Sequence, residues 1–304
     1  MARSVATVTG RRPNLFQVGA MKSGTSSLHV YLASHPEIFM CEPKEPCYFV
    51  ELADLEWPAR QTVERFGFWR SEAAYLELFA DAGDARVLGE SSTNYSKGPK
   101  IAGVPERMAT FAPEARILYL MRDPVERTIS HYWHAVRQRK EGRDLVTALA
   151  EEPHYREVSH YALQLRPYLE LFGAERVHTL TLEALRGDPC RELRSVFIWL
   201  GVDPDFEPPD LAPRHVTPDD LERVRGRGRL ERFRHSVLWN AVGRLMPAAL
   251  RRWGRRLAAA PVERASEDRQ RAAELLRPQQ LEQTSELAEL LGRDFSEWRT
   301  LHGG

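Results

Sequence analysis

Residues 17–32 read QVGAMKSGTSSLHVYL. Gly19 and Gly24 bracket Lys22, and the hydroxyl residues Ser23, Thr25, Ser26 and Ser27 crowd the same loop. A loop between a buried strand and a helix aims successive backbone N–H groups at one point, and the helix dipole adds partial positive charge there. Gly19 and Gly24 permit the tight path, the hydroxyls add donors, and Lys22 adds a full charge. The chemistry of such a loop is phosphate binding. The kinase-type loop places Gly-Lys ahead of a Ser or Thr whose hydroxyl holds magnesium. Here the order is Lys22-Ser23-Gly24-Thr25. The loop therefore fits a phosphate-like group without reproducing the magnesium ligand. A Gly-Ser loop that only caps a helix is the alternative reading of these residues alone.

A second anion feature is RDPVERTIS, residues 122–130. Arg122 leaves the carboxyl end of the most apolar strand, where α/β sheets bind ligands. Ser130 lies two turns into the next helix. An arginine fork and a hydroxyl suit a second phosphate; a strand-end arginine that only satisfies a helix cap is the alternative. Arg127, Ser130, His131 and His134 share one face of that helix. Histidine is the commonest catalytic base, but these two face the side of the second anion feature and read as helix-surface residues. His29, on the first helix, reads as a packing residue.

The elements that position these residues follow from punctuation and period. Strands are expected at 14–19, 38–40, 86–90, 116–121 and 176–182. Helices are expected after the first loop, over 71–80 with Ser71 as cap, from Asp123-Pro124, through 161–172 with a kink at Pro167, and from Asp188-Pro189 to Gly201. Alternating strands and helices imply an α/β fold. It is a P-loop-like three-layer fold, a central parallel sheet flanked by helices, with a helical C-terminal extension. No linker interrupts the chain before residue 204, so 1–304 reads as one domain with its core over 14–205.

Charge excludes bulk attraction to nucleic acid: 43 basic residues balance 43 acidic ones. Only Lys22, Lys44, Lys97, Lys100 and Lys140 are lysine. Cys41, Cys47 and Cys190 are an odd, sparse set that makes neither a disulfide framework nor a zinc site. The N-terminal residues hold no apolar run long enough for a signal or an anchor. A soluble, cytoplasmic protein with reduced cysteines is the expectation.

The chain resembles sulfotransferases that use 3′-phosphoadenosine-5′-phosphosulfate (PAPS), and is most similar to the carbohydrate (heparan sulfate-type) branch and its bacterial relatives. GAMKSGTSSL matches the family's 5′-phosphosulfate loop, and LMRDPVERTISHYWH matches its 3′-phosphate motif. PKEPCYF, LGESSTNY and RPYLELF…LGVDP follow in order. The likeness covers about residues 14–205, and ordered matches are more specific than any single one. Beyond it only LLGRDFSEW resembles the family.

The resemblance implies that Lys22 contacts the bridging oxygen and the transferring sulfonate, with Ser23, Gly24, Thr25 and Ser26 around the 5′ group. Arg122 and Ser130 hold the 3′-phosphate, and Tyr161 lies near the cofactor, with packing in the core as the alternative. Lys44 faces the cleft near the sulfonate or the acceptor. The acceptor hydroxyl or amine must lose a proton, and Glu90, ending a buried strand, is the expected general base, with Lys44 or Lys22 as its neighbouring cation. The scheme calls for no metal. The acceptor would be a small molecule, sugar or glycolipid.

Residues 204–235 turn Pro- and Arg-rich and read as a mobile basic loop; 237–259 read as a basic amphipathic helical stretch, more a lid or packing element than a membrane contact. Two other classes stay open on residues alone: a magnesium-dependent P-loop kinase, and a non-enzymatic adaptor with a structural nucleotide site.

Overall fold

Leu15–Gly19, five consecutive buried residues, form β1, the pattern of a strand covered on both faces. Ile38–Met40 (β2), Val87–Ser91 (β3), Arg116–Met121 (β4) and Val177–Thr181 (β5) complete a five-stranded sheet in the order β2-β3-β1-β4-β5. Every pair in it is parallel. The computed structural model describes residues 11–55, 59–67, 71–138, 140–212, 221–224, 259–262 and 265–303.

Helices cover both faces. Thr25–Ala33 is α1, Ala59–Phe66 α2, Glu72–Leu76 α3, Val104–Phe111 α4, Pro124–Arg137 α5, Leu145–Glu151 α6 and His154–Glu157 α7. Tyr161–Phe172 is α8, Leu182–Gly187 α9, Pro189–Leu200 α10, Ser266–Leu291 α11 and Arg299–His302 α12. Side chains alternate across the sheet, so Phe16, Val18, Ile117, Tyr119 and Met121 pack with α4, α5, α8 and α11. Leu15, Leu118, Leu120 and Leu180 pack on the other side with α1, α9 and α10. The result is the expected three-layer P-loop-like fold.

Local signals set the boundaries. Ser71 accepts from the Ala74 N–H at 3.2 Å, but α3 ends at Leu76, and the expected longer helix continues as a tighter turn over Glu77–Phe79. Asp123 caps α5, accepting from the N–H groups of Val125 at 3.0 Å and Glu126 at 3.2 Å. Gly201, left-handed, ends α10. At the C-terminal end, α11 packs against α5, α6 and α8, and α12 against α5. Leu221–Val224 (β6) and Ala259–Val262 (β7) form a separate antiparallel pair. Of the expected basic loop 204–235, residues 204–212 are turn and loop and 221–224 form β6; of the expected amphipathic stretch 237–259 only Ala259 is described, at the start of β7; the remainder of both lies outside the described residues. No helix among the described residues is long and apolar enough to cross a membrane.

β1 connects toward β2 on one side and β4 toward β5 on the other. The adjacent carboxyl ends of β1 and β4 are thus a topological switch point, where such sheets bind ligands. The loop after β1 carries Lys22, and Arg122 follows β4.

Candidate active site

The loop after β1 is held close to its neighbours. A Cβ on Gly19 would lie 2.2 Å from Ser96 Oγ and 2.8 Å from a Tyr119 ring carbon, so only glycine fits. Lys22 has φ of 71° and Gly24 of 93°. The left-handed region costs a non-glycine residue about 1–2 kcal/mol, and such strain gathers at ligand clamps. Arg122 Nη1 donates to the Lys22 carbonyl at 3.3 Å, and Arg127 Nη1 to the Met21 carbonyl at 3.5 Å. Two guanidiniums from the segment after β4 therefore brace the loop after β1.

Lys22, Gly24, Thr25, Ser26, Lys44, Arg122 and Ser130 line one cleft of about 1100 Å³. Lys44 reaches across from the loop after β2: its Nζ donates to Thr25 Oγ1 and Ser26 Oγ, each at 3.1 Å. Burial lowers the Lys22 ammonium to about 8, and Arg122, Arg137 and Arg127 push it the same way. Burial also lowers Lys44, against Glu45 and Glu42. Cations held together at such a cost mark a place for a strongly anionic ligand.

Ser23 is fully buried, with its hydroxyl beside the Tyr161 phenol, and lies behind the cleft wall. Tyr161 is also behind the wall. Its phenol donates to the Arg122 carbonyl at 2.7 Å and accepts from the Arg122 N–H at 3.3 Å, and its ring packs on Tyr119 and Trp298. The expected cofactor contact is thus a core residue that fixes the backbone of Arg122. Arg122 Nη2 meets Glu126 Oε2 at 3.2 Å, while Glu126 Oε1 accepts from Thr300 Oγ1 at 3.0 Å and from Arg269.

Glu90 does not reach the cleft. Its side chain is fully buried on β3, flanked by the phenols of Tyr75 and Tyr95, which stand near it without completing a hydrogen bond. Burial raises the carboxyl to about 8, outweighing the pull of the two phenols. A strand side chain one position either way points to the other face, and here the residue faces the aromatic core. Neither Lys44 nor Lys22 serves as its cation.

The cleft holds another carboxylate, Glu45, next to Lys44 in the same loop. Thr93 donates to both its oxygens, from N–H to Oε2 and from Oγ1 to Oε1, each at 2.9 Å. Its own N–H donates to the Ser91 carbonyl at 2.9 Å, tying the loop to the end of β3. Sequence reasoning missed it. The available signal was a second charged side chain adjoining an expected cleft lysine.

His131 and His134 line the cleft. His131 is not the helix-surface residue expected: it is buried against Arg127, His154 and Tyr155. Burial, then Arg127, holds its imidazole well below the usual range. His134, half-buried, is lowered to about 4 by burial and then by Lys22, Arg137, Lys97 and Lys140. Arg127 itself is fully buried, donating hydrogen bonds to Ser159 Oγ and the Tyr155 carbonyl as well as to the Met21 carbonyl. His29 packs as expected, 2.8 Å from Ser91 Oγ.

A switch-point cleft with a glycine-hinged loop, a bracing arginine and clustered cations defines a P-loop-like protein whose cleft suits an anionic ligand. The chain belongs to the Sulfotransferase family, whose family model matches residues 13–208. It is 29% identical to a sulfotransferase of known structure from Alicyclobacillus acidocaldarius, at a TM-score of 0.69, over 95% of this chain and 99% of that one. It is 30% identical over 133 residues to the membrane-associated sulfotransferase kil1 of Dictyostelium discoideum, covering 43% of this chain and 25% of that protein. It is 24% identical over 211 residues to bifunctional heparan sulfate N-deacetylase/N-sulfotransferase 4 of Mus musculus, covering 64% of this chain and 23% of that one. The chain thus spans about a quarter of the length of these two relatives.

Proposed function

We propose that this chain transfers a sulfonate group from PAPS to a hydroxyl or amine of a small-molecule, sugar or glycolipid acceptor. The observation that carries the reading is the convergence of Lys22, Lys44, Arg122, Ser130 and Glu45 on one cleft at the sheet's switch point. The donor set fits PAPS, which has phosphate groups at two separated positions and supplies an activated sulfonate. Gly24, Thr25 and Ser26 would hold the 5′ group with Lys22, while Ser23 supports the loop from behind. Arg122 and Ser130 would hold the 3′-phosphate, with Tyr161 fixing the arginine's backbone.

Negative charge builds on the leaving phosphate as the bond to sulfur breaks. A fixed ammonium there stabilises the transition state more than the ground state, which is the role of Lys22. Lys44, anchored on Thr25 and Ser26, adds a second cation at the same end of the loop. Glu45 takes the acceptor's proton; its carboxylate is exposed to the cleft and oriented by Thr93. Glu90, enclosed by aromatic rings, has no route to that proton.

A thermal-shift panel tests the donor. 3′-Phosphoadenosine-5′-phosphate (PAP) is expected to raise Tm by an amount that grows with the logarithm of its concentration over its dissociation constant, and ATP with magnesium to give a smaller shift. A larger shift with magnesium ATP would favour a kinase, and no shift with either nucleotide would favour an adaptor.

A further inference from the structure

The segment that ends β3 grips the loop that carries Glu45. The Ser91 carbonyl accepts from the Glu45 N–H at 2.9 Å, and Ser92 Oγ accepts from the Cys47 N–H at 3.1 Å. Glu45 and Cys47 are both left-handed, with φ of 65° and 53°. Side chains avoid this region, and it persists where the surroundings over-determine it. Between these two ties the Glu45 carboxylate meets Thr93 and Asn94, and all three residues line the cleft.

The donors on its two oxygens differ in kind. Oε2 accepts from the Thr93 N–H at 2.9 Å and faces Asn94 Nδ2 at 3.5 Å. The Asn94 amide is oriented from its far side, where Lys97 Nζ donates to Oδ1 at 2.7 Å. An ammonium only donates, so the atom it meets is the amide oxygen and the atom turned toward Glu45 is the nitrogen. Oε1 accepts from the Thr93 hydroxyl at 2.9 Å. An N–H group only donates, whereas a hydroxyl donates or accepts. A proton on Oε2 would face donors that cannot turn away. A proton on Oε1 meets a hydroxyl that can. In the neutral acid one oxygen is a carbonyl, which only accepts, and the N–H groups match that oxygen at Oε2.

We propose that Thr93 and Asn94 are positioning residues that hold Oε2 as the carbonyl oxygen of the acid form and reserve Oε1 for the acceptor's proton. In the transfer the acceptor's oxygen or nitrogen bonds to sulfur and its proton goes to Oε1. The bond from sulfur to the 5′-phosphate oxygen breaks, and its electron pair leaves on that phosphate as PAP. This rests on the sulfotransferase reading above, with Glu45 as its base.

Glu45→Gln is a stable copy of the protonated acid, its amide oxygen standing for the carbonyl and its NH2 for the protonated oxygen. Neutron diffraction from deuterated crystals of this variant locates the amide deuterons whether or not any acceptor is known. The amide oxygen is expected toward the Thr93 N–H and Asn94, and the NH2 toward the Thr93 hydroxyl. The reverse orientation, or both in equal share, would overturn the proposal. Kinetics use the full chain. Thr93→Val and Asn94→Leu are expected to bind PAP within about threefold of wild type by calorimetry, since neither residue is assigned to the donor. Single-turnover transfer from PAPS is read on an acceptor drawn from an intact-mass screen of sugars, phenols, alcohols and amines. Thr93→Val should slow it by about tenfold to a hundredfold, as a misplaced base does, and Asn94→Leu by about threefold to tenfold. Thr93→Ser, which keeps the hydroxyl, should restore most of the rate. A Thr93→Val enzyme that transfers at the wild-type rate, or that loses PAP affinity as steeply as rate through a distorted loop, would overturn the positioning role. A wild type that binds no PAP or turns over no member of the screen would count against the sulfotransferase reading, and the neutron result still decides which oxygen is reserved.

Discussion

Thr93 holds both oxygens of Glu45, its N–H donating to Oε2 and its hydroxyl to Oε1, each at 2.9 Å. The carboxylate is thereby fixed in orientation while it remains on the cleft wall. Glu90, on the strand that Glu45 hydrogen-bonds to through Ser91, is sealed from the same cleft. Position alone separates a carboxylate on the cleft wall from one sealed behind it.

Glu45→Gln removes the base without removing the hydrogen-bonding shape. Sulfonate transfer should fall by about 10²–10⁴-fold, the usual worth of a general base, while PAP affinity is retained. Glu90→Gln should keep its rate to within about the few-fold changes that neighbouring packing brings. Single-turnover rates with both variants decide this. A collapse in Glu90→Gln together with near-normal rates in Glu45→Gln would return the role to Glu90.

Glu90 should instead govern stability against pH. Its folded carboxyl is raised to about 8 by burial, against an ordinary value of 4.5. The folded protein therefore holds this proton more tightly than the unfolded chain. The contribution is complete below about pH 4.5 and is lost as pH rises to about 8, at roughly 1.4 kcal/mol per unit. Glu90→Gln has nothing to ionise there. Its Tm relative to wild type should climb between pH 5 and 8 and level off above. A Tm difference that stays constant with pH would show that the group does not titrate across this window.

The sheet and the two segments that carry Lys22 and Arg122 were legible because they rest on local rules. Short apolar runs between Gly and Pro marked the strands, and Asp123-Pro124 marked the start of α5. β4 was read without error, and β3 was displaced by one residue, from Arg86–Glu90 to Val87–Ser91. What was not legible depended on side-chain direction in three dimensions. Glu90 and Glu45 are both glutamates in segments that approach the switch point, and only the fold shows which faces the cleft. For Tyr161 the sequence left a place near the cofactor and core packing both open, and only the fold shows its phenol on the Arg122 backbone. The burial of His131 needed α7, whose His154 and Tyr155 close over it.

Lys22 should link donor binding to pH. Burial and three arginines lower it to about 8, and bound phosphate returns the charged form to favour. PAP affinity should be nearly flat below pH 8 and should fall as pH rises above it, with a proton taken up on binding in that upper range. Calorimetry in buffers of differing ionisation enthalpy reads the proton directly. Lys22→Met should abolish the uptake and reduce transfer by about 10²–10³-fold. Proton uptake that persists in the variant would assign it to another group.

Tyr161→Phe tests positioning rather than contact. The phenol makes two hydrogen bonds to the Arg122 backbone and stands outside the cleft lining. Its loss should cost about 1–2 kcal/mol of stability and weaken PAP several-fold through Arg122. The effect should vanish in an Arg122→Met background. Additive losses in the double variant would mean that Tyr161 acts on the ligand by another path.

The C-terminal residues brace the segment that carries Arg122. Thr300 Oγ1 donates to Glu126 Oε1 at 3.0 Å and the Leu301 N–H donates to Asp123 Oδ2 at 3.0 Å, so α12 clamps the first turn of α5. Glu126 in turn holds Arg122 Nη2 at 3.2 Å. A carboxylate that loses a donor becomes a stronger partner for those that remain. Thr300→Val should therefore tighten Glu126 on Arg122 and leave less of the guanidinium for phosphate. The expected result is a PAP dissociation constant raised about three- to tenfold, equivalent to roughly one hydrogen bond, with kcat at saturating donor nearly unchanged. Thr300→Ser, which keeps the hydroxyl, should restore most of the affinity. A Thr300→Val enzyme that binds PAP normally but turns over slowly would place the C-terminal clamp on the acceptor's side instead.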